Sequence, residues 1–102
     1  MDSHFSLTNE DAATLGAGTA YPATALVVGK NCGIVRVAAC PVTGGGTFKL
    51  VVNSVDILME KGGTLSAGAG YAWDWPVEAG DEVQVKYSAG GTVKLCIQSL
   101  LG

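Results

Sequence analysis

The run of the sequence most suggestive of chemistry is aromatic and spans residues 70–76, which read GYAWDWP. Tyr71, Trp73 and Trp75 alternate with smaller residues, so they share one face if the segment is extended. An exposed row of this kind can stack on a sugar ring or anchor a protein interface, whereas a buried row would close a core. We treat Tyr71, Trp73 and Trp75, with Asp74 between them, as the candidate interface or ligand platform.

Catalytic parts are scarce in the sequence. Its one histidine, His4, would have to serve any nucleophile that needs an imidazole base. The acids Asp74, Glu78, Asp81 and Glu82 cluster, but Asp81 and Glu82 sit where a turn leads into a strand. We therefore predict no enzyme, no catalytic residue, no cofactor and no metal. A calcium ion held by Asp74, Glu78 or Asp81 is the best metal alternative.

The cysteines predict reduced thiols rather than a disulfide framework. Cys32, Cys40 and Cys96 are odd in number and show no CxxC spacing. We interpret them as small apolar residues in a reducing compartment, with a Cys32–Cys40 pair across neighbouring strands as the alternative.

Charge is the most unusual feature of the composition. Charged residues make up 15% of the chain, against about 25% in average domains. The net charge is −3 and the six basic residues are scattered, so the basic stripe that nucleic-acid binding needs is missing. No apolar run approaches the roughly 18 residues of a membrane span. Either much of the surface consists of Ser, Thr, Gly and Ala, or a partner covers part of it, and we favour the second interpretation because low charge promotes association.

Alternation of apolar and polar residues, bounded by glycines, predicts an all-β chain. The 102 residues fit one domain, which we interpret as a single β-sandwich of about eight short antiparallel strands, with a jelly roll as the candidate topology. The predicted strands cover residues 4–7, 24–28, 33–39, 47–52, 55–60, 64–67 with 71–73, 82–88 and 92–100.

The first 21 residues are less periodic than the rest. We assign 1–21 to a less regular N-terminal arm or strand, with one turn of helix possible from Thr8 to Leu15, and 22–102 to the sandwich. Phe5, Leu7, Leu15 and Tyr21 are the candidate residues of an arm that lies on a neighbouring copy. A loop packed on its own domain is the equal alternative.

The C-terminal part resembles a known group of proteins. In residues 75–87 an aromatic residue, Pro and a Gly-Asp turn lead into an alternating strand, and residues 90–97 add a Gly-Gly turn and a last strand. This pattern resembles small β-sandwich proteins of tailed-bacteriophage virions, namely capsid decoration (cement) proteins and fibre-head domains. The resemblance implies a homo-oligomer, with a trimer favoured, bound to a major capsid or other virion protein and folded in the host cytoplasm.

Two functions follow from these features. The leading hypothesis is a non-enzymatic virion structural protein, most simply a capsid decoration protein that binds the lattice and itself. The alternative is a carbohydrate- or receptor-binding module, such as a fibre tip, that uses the aromatic platform.

Overall fold

The computed structural model describes the backbone of residues 4–60 and 63–101, and the side chains of residues 12–60 and 63–100. This part of the chain forms eight β-strands. They are β1 (His4–Leu15), β2 (Tyr21–Val27), β3 (Cys32–Pro41), β4 (Phe48–Val52), β5 (Val55–Leu58), β6 (Tyr71–Pro76), β7 (Glu82–Tyr87) and β8 (Gly91–Leu101). Within it we find no helix with the length and apolar character to cross a membrane.

The strands form two four-stranded sheets, which we name sheet A and sheet B. Sheet A has the order β1-β8-β3-β6 and sheet B the order β2-β7-β4-β5. All the strand pairs are antiparallel. Eight strands interleaved between two sheets in this order form a jelly roll. The predicted fold class is confirmed, including its jelly-roll topology.

The core follows directly from the alternation in the sequence. Successive residues of a strand point to opposite faces, so every second side chain enters the space between the sheets. In β7 the inward residues are Val83, Val85 and Tyr87, each with no exposed surface. In β8 Val93 and Ile97 are equally buried. These strands lie inside their sheets, which is why their periodicity predicts their bounds well.

Strand β1 differs from the sequence-based expectation. It runs from His4 to Leu15 instead of ending at Leu7, and no turn of helix starts at Thr8. Its register against β8 shifts twice, between Ser6 and Thr8 and again between Glu10 and Ala13. Such bulges break the period-two pattern while β8 still pairs with the backbone, so the strand is hard to see in the sequence.

The candidate arm residues divide into two groups. Leu15 is buried in the core of its own sandwich, and Tyr21 packs against that core. Leu15 is therefore not free to contact a neighbouring copy. The side chains of Phe5 and Leu7 lie outside the described residues, so their part in an arm stays a prediction.

The segment 64–67, predicted as part of a strand, is a loop. Leu65 is buried there and is bonded to the glycine turn that precedes β4. Its N–H donates to the carbonyl of Gly46 at 2.9 Å, and its carbonyl accepts from the N–H of Gly45 at 2.8 Å. These bonds satisfy the backbone N–H and carbonyl of Leu65 without a strand, and β6 begins only at Tyr71.

The three cysteines are free in the structure. Cys32 and Cys40 lie on the same strand, β3, at a separation of roughly 26 Å for eight extended residues. The alternative of a Cys32–Cys40 disulfide is therefore wrong.

Ser99 gives a test of the core. It is 1% exposed, and its hydroxyl has no hydrogen-bond partner among the described residues. Because an unsatisfied buried hydroxyl is costly, Ser99→Ala should raise the free energy of unfolding by about 1 kcal/mol, measured by urea denaturation. Ser66→Ala, at an exposed loop position, should change it little. A loss of stability in Ser99→Ala would show that the hydroxyl is bonded after all.

Candidate functional site

The aromatic row lies on β6, the edge strand of sheet A, whose one partner among the described strands is β3. The register places Tyr71, Trp73 and Trp75 opposite Ala39, Val37 and Val35, which are all buried. The prediction that the three rings share one face is confirmed by this register. That face is the inner one, which looks toward sheet B at the side of the sandwich.

Two of the three rings are structural. Trp73 stacks on the fully buried Phe48 of sheet B, with ring centroids 5.2 Å apart and planes 18° apart. Tyr71 stacks on Trp73 at 5.8 Å and 7°. The Tyr71 hydroxyl also accepts a hydrogen bond from the N–H of Ser66 at 2.8 Å. Both rings pack against the core, so neither presents a free platform.

Trp75 differs from its two neighbours. It is 37% exposed, and no ring stacks on it in the described part of the chain. It is also outside the group of partly buried side chains that pack on the core. An indole in this position offers apolar surface to a ligand at no cost in core packing.

A depression of about 360 Å³, open to solvent, is formed by the residues that come directly after Trp75 in the chain. Pro76, Val77, Glu78 and Asp81 line it. Val77 is buried while Glu78 is exposed, so the depression combines an apolar floor with a carboxylate at its rim. Its volume lies within the range of small-molecule sites. The sequence showed Glu78 only as a possible acid, because nothing in the spacing revealed this depression.

Asp74 does not join the platform. As the residue between Trp73 and Trp75 it points to the other face of sheet A, where its carboxylate accepts hydrogen bonds from Arg36 Nε at 2.8 Å and Nη2 at 3.0 Å. These bonds lower the pKa of Asp74 from its ordinary value. Asp74 is thereby a partner of β3 rather than a ligand-binding residue of the aromatic row.

Asp81 holds the turn between β6 and β7. Its two carboxylate oxygens accept from the N–H of Glu78 at 2.8 Å and from Asn53 Nδ2 at 3.0 Å. Asn53 Oδ1 in turn accepts from the N–H of Glu82 at 2.9 Å. The bond from Glu78, followed by that from Asn53, lowers the pKa of Asp81. No group of three or more His, Cys, Asp or Glu side chains in the described residues could hold a metal ion.

Comparisons with known proteins identify the fold. No family model matches the chain, and no curated protein does. Among solved structures, the chain is similar to the C-terminal CBM6 of LamC, a marine laminarinase from Zobellia galactanivorans, with 13% identity, a TM-score of 0.50, and coverage of 93% of this chain and 92% of that one. A carbohydrate-binding module of Cellvibrio mixtus lichenase 5A has 12% identity, a TM-score of 0.48 and 95% coverage of both chains. At such identity the first likeness shows a shared β-sandwich fold.

The turn held by Asp81 predicts a pH dependence of stability. Because its pKa is lowered in the folded state, its contribution is complete above the ordinary aspartate pKa and is lost as the pH falls through the folded-state value. Asp81→Asn should lower the midpoint of urea unfolding near neutral pH. In acid, where the wild-type carboxylate is also uncharged, the midpoints of the two proteins should lie closer together. Glu78→Gln, which keeps the backbone donor, is the control. An unchanged difference at both pH values would contradict the assignment.

Proposed function

We propose that this protein is a non-catalytic carbohydrate-binding module whose sugar stacks on Trp75 and extends over the depression lined by Pro76, Val77, Glu78 and Asp81. The observation that carries the proposal is the exposed, unstacked indole of Trp75, which directly precedes in the chain the residues that line that depression. This site replaces the three-ring platform, because Tyr71 and Trp73 are stacked within the fold.

The chemistry of the site suits a sugar. A pyranose presents an apolar face of C–H groups, which packs on an aromatic ring, and a rim of hydroxyls, which need polar partners. The Glu78 carboxylate accepts no hydrogen bond within the described part of the chain, so it can accept one from a sugar hydroxyl. Asp81 already accepts one hydrogen bond at each oxygen, and an ionised carboxylate has lone pairs left for more.

The fold supports the same proposal. The solved domain with a TM-score of 0.50 is a CBM6 carried by a laminarinase, so this sandwich occurs in sugar-binding parts of larger enzymes. The carboxylates near Trp75 in the chain support a binding role rather than hydrolysis, because glycoside hydrolysis uses a pair of acids, and Asp74 and Asp81 are both engaged in hydrogen bonds within the fold.

Substitution of Trp75 tests the proposal. Trp75→Ala should weaken binding of laminari- or cello-oligosaccharides about tenfold or more, because a tryptophan at the centre of a contact commonly dominates its energy. Isothermal titration calorimetry would measure this, and Glu78→Gln should produce a smaller loss. Val42→Ala is the matched control, since Val42 is 66% exposed and follows the opposite end of β3.

Trp73→Ala separates packing from binding. It should lower the free energy of unfolding by about 3 kcal/mol, whereas Trp75→Ala should change stability little. If wild-type protein binds no neutral glycan on an array, or if binding survives Trp75→Ala, the sugar proposal fails.

A second candidate function is assembly in a virion, favoured by the outer face of sheet A. We define this face by its small or apolar outward residues, Ile34, Ala38 and Cys40 of β3, Ala72 of β6, and Cys96 and Leu100 of β8. Its central charges, Arg36 and Asp74, neutralise each other. Lys94 of β8, opposite Cys40, is a further exposed charge on this face. A face with so few charges suits contact with another copy or with a capsid lattice.

This candidate predicts self-association through Ala38, which lies opposite both Ala72 and Cys96. Ala38→Lys should convert an oligomer to monomer in light scattering at micromolar concentration. Ala23→Lys, an exposed position on β2 of the other sheet, should leave the mass unchanged. A wild-type monomer would remove the support for assembly, including the predicted trimer.

A further inference from the structure

A second concave site lies on the outer face of sheet B, on a different sheet from Trp75. It is a cavity of about 120 Å³ lined by Gly18, Thr47, Lys49, Asp56, Lys86 and Ser88. Its side chains come from β4, β5, β7 and the residues just beyond them. Two of the six basic residues of the chain converge here.

The two lysines face each other across neighbouring strands. Lys49 of β4 and Lys86 of β7 are direct partners in the register. Like charges in this position destabilise a sheet, so the arrangement needs a compensating anion. Asp56 of β5 supplies one carboxylate for the two ammonium groups, which leaves one positive charge in excess on a protein whose net charge is −3.

Asp56 compensates the charges of the two lysines unequally. Lys86 Nζ donates to both Asp56 oxygens, at 3.1 and 3.2 Å. Lys49 Nζ stays 4.0 Å from Asp56 Oδ2, beyond hydrogen-bond distance, and its ammonium has no hydrogen bond to any described residue. Lys49 is 41% exposed and Lys86 29%, so a ligand can reach both.

The Ser88 hydroxyl is a further hydrogen-bond donor in this cavity. Ser88 Oγ accepts from the N–H of Thr47 at 2.8 Å and from the Thr47 hydroxyl at 3.4 Å. Its own O–H therefore remains available to donate into the cavity. The carboxylate in the lining, Asp56, is already engaged by Lys86. A cavity with unused donors, excess positive charge and an occupied acceptor matches a ligand that brings acceptor oxygens and negative charge.

We propose that this cavity binds an oxyanion, with Lys49 as the principal ligand and Lys86 and Ser88 as supporting donors. The group is a carboxylate, sulfate or phosphate, either as a substituent of an acidic saccharide or as a free ion. The site is independent of the Trp75 site, because they lie on different sheets and share no residue.

Nuclear magnetic resonance titration of the ¹⁵N-labelled protein at low ionic strength tests the proposal. Sodium sulfate, sodium phosphate and sodium glucuronate should each cause saturable shifts at the amides of Thr47, Lys49, Lys86 and Ser88. Methyl glucoside and sodium chloride at matched ionic strength should not. Tighter binding of glucuronate than of acetate would assign the oxyanion to an acidic sugar, and tighter binding of sulfate or phosphate would assign it to the free ion.

Two substitutions give opposite expectations. Lys49→Gln should weaken oxyanion binding about tenfold, whereas Lys94→Gln, an exposed lysine on β8 of the other sheet, should not. Asp56→Asn removes the competing charge and should tighten binding severalfold. Trp75→Ala should leave these titrations unchanged, which keeps this test separate from that of sugar stacking.

The proposal is overturned if chloride reproduces the shifts, because the effect would then be ionic screening. It is also overturned if Asp56→Asn weakens binding while its spectrum remains that of folded protein. The carboxylate would then be a ligand, and the cavity would take a group that donates hydrogen bonds.

Discussion

The arrangement of this sandwich depends on the ring of Phe48. It is fully buried at the start of β4, stacks on Trp73 of sheet A, and lies 6.2 Å from the ring of Tyr87 on β7. The Tyr87 hydroxyl in turn donates to the carbonyl of Thr43. One aromatic cluster thus fixes the edge strand β6 against the other sheet and anchors the turn before β4. Because aromatic rings bury large areas and prefer defined geometries, this contact determines which part of β6 is core and which part is surface.

The side chain of Trp75 is exposed because the stacking on Phe48 does not extend as far as Trp75. Tyr71 and Trp73 are drawn inward by Phe48 and by each other, whereas Trp75 lies two residues further along β6, where no described ring covers it. The strand ends at Pro76, and the turn fixed by Asp81 and Asn53 then places Glu78 in the lining of the depression. The same edge strand therefore supplies core packing in its first half and a ligand surface in its second. No rearrangement is needed to expose the site.

Strands in which apolar and polar residues strictly alternate were predictable from the sequence, because the alternation itself decides which side chains face the core. β4 and β7 have nearly the predicted bounds. β1 was missed beyond Leu7 since its two register shifts hide the period. The shared face of Tyr71, Trp73 and Trp75 was predictable from spacing, but their different exposure was not, because it depends on Phe48, which is distant in sequence. The cavity at Lys49 was unpredictable for a similar reason. Its residues look scattered in the sequence, and only the register of three strands brings them together.

The ion pairs of the structure change how the low content of charged residues is interpreted. Arg36 is neutralised by Asp74, and Lys86 by Asp56. Exposed pairs of this kind contribute little to stability, but they cancel much of the field of a surface that has few charges. A charged side chain that makes no hydrogen bond within the described residues is then available to a ligand. Lys49, whose nearest Asp56 oxygen is 4.0 Å away, lines a small cavity, and Glu78 lines the depression that follows β6. Charge depletion is therefore compatible with specific polar recognition as well as with assembly, since two of the groups free of hydrogen bonds in the described residues line concave parts of the surface.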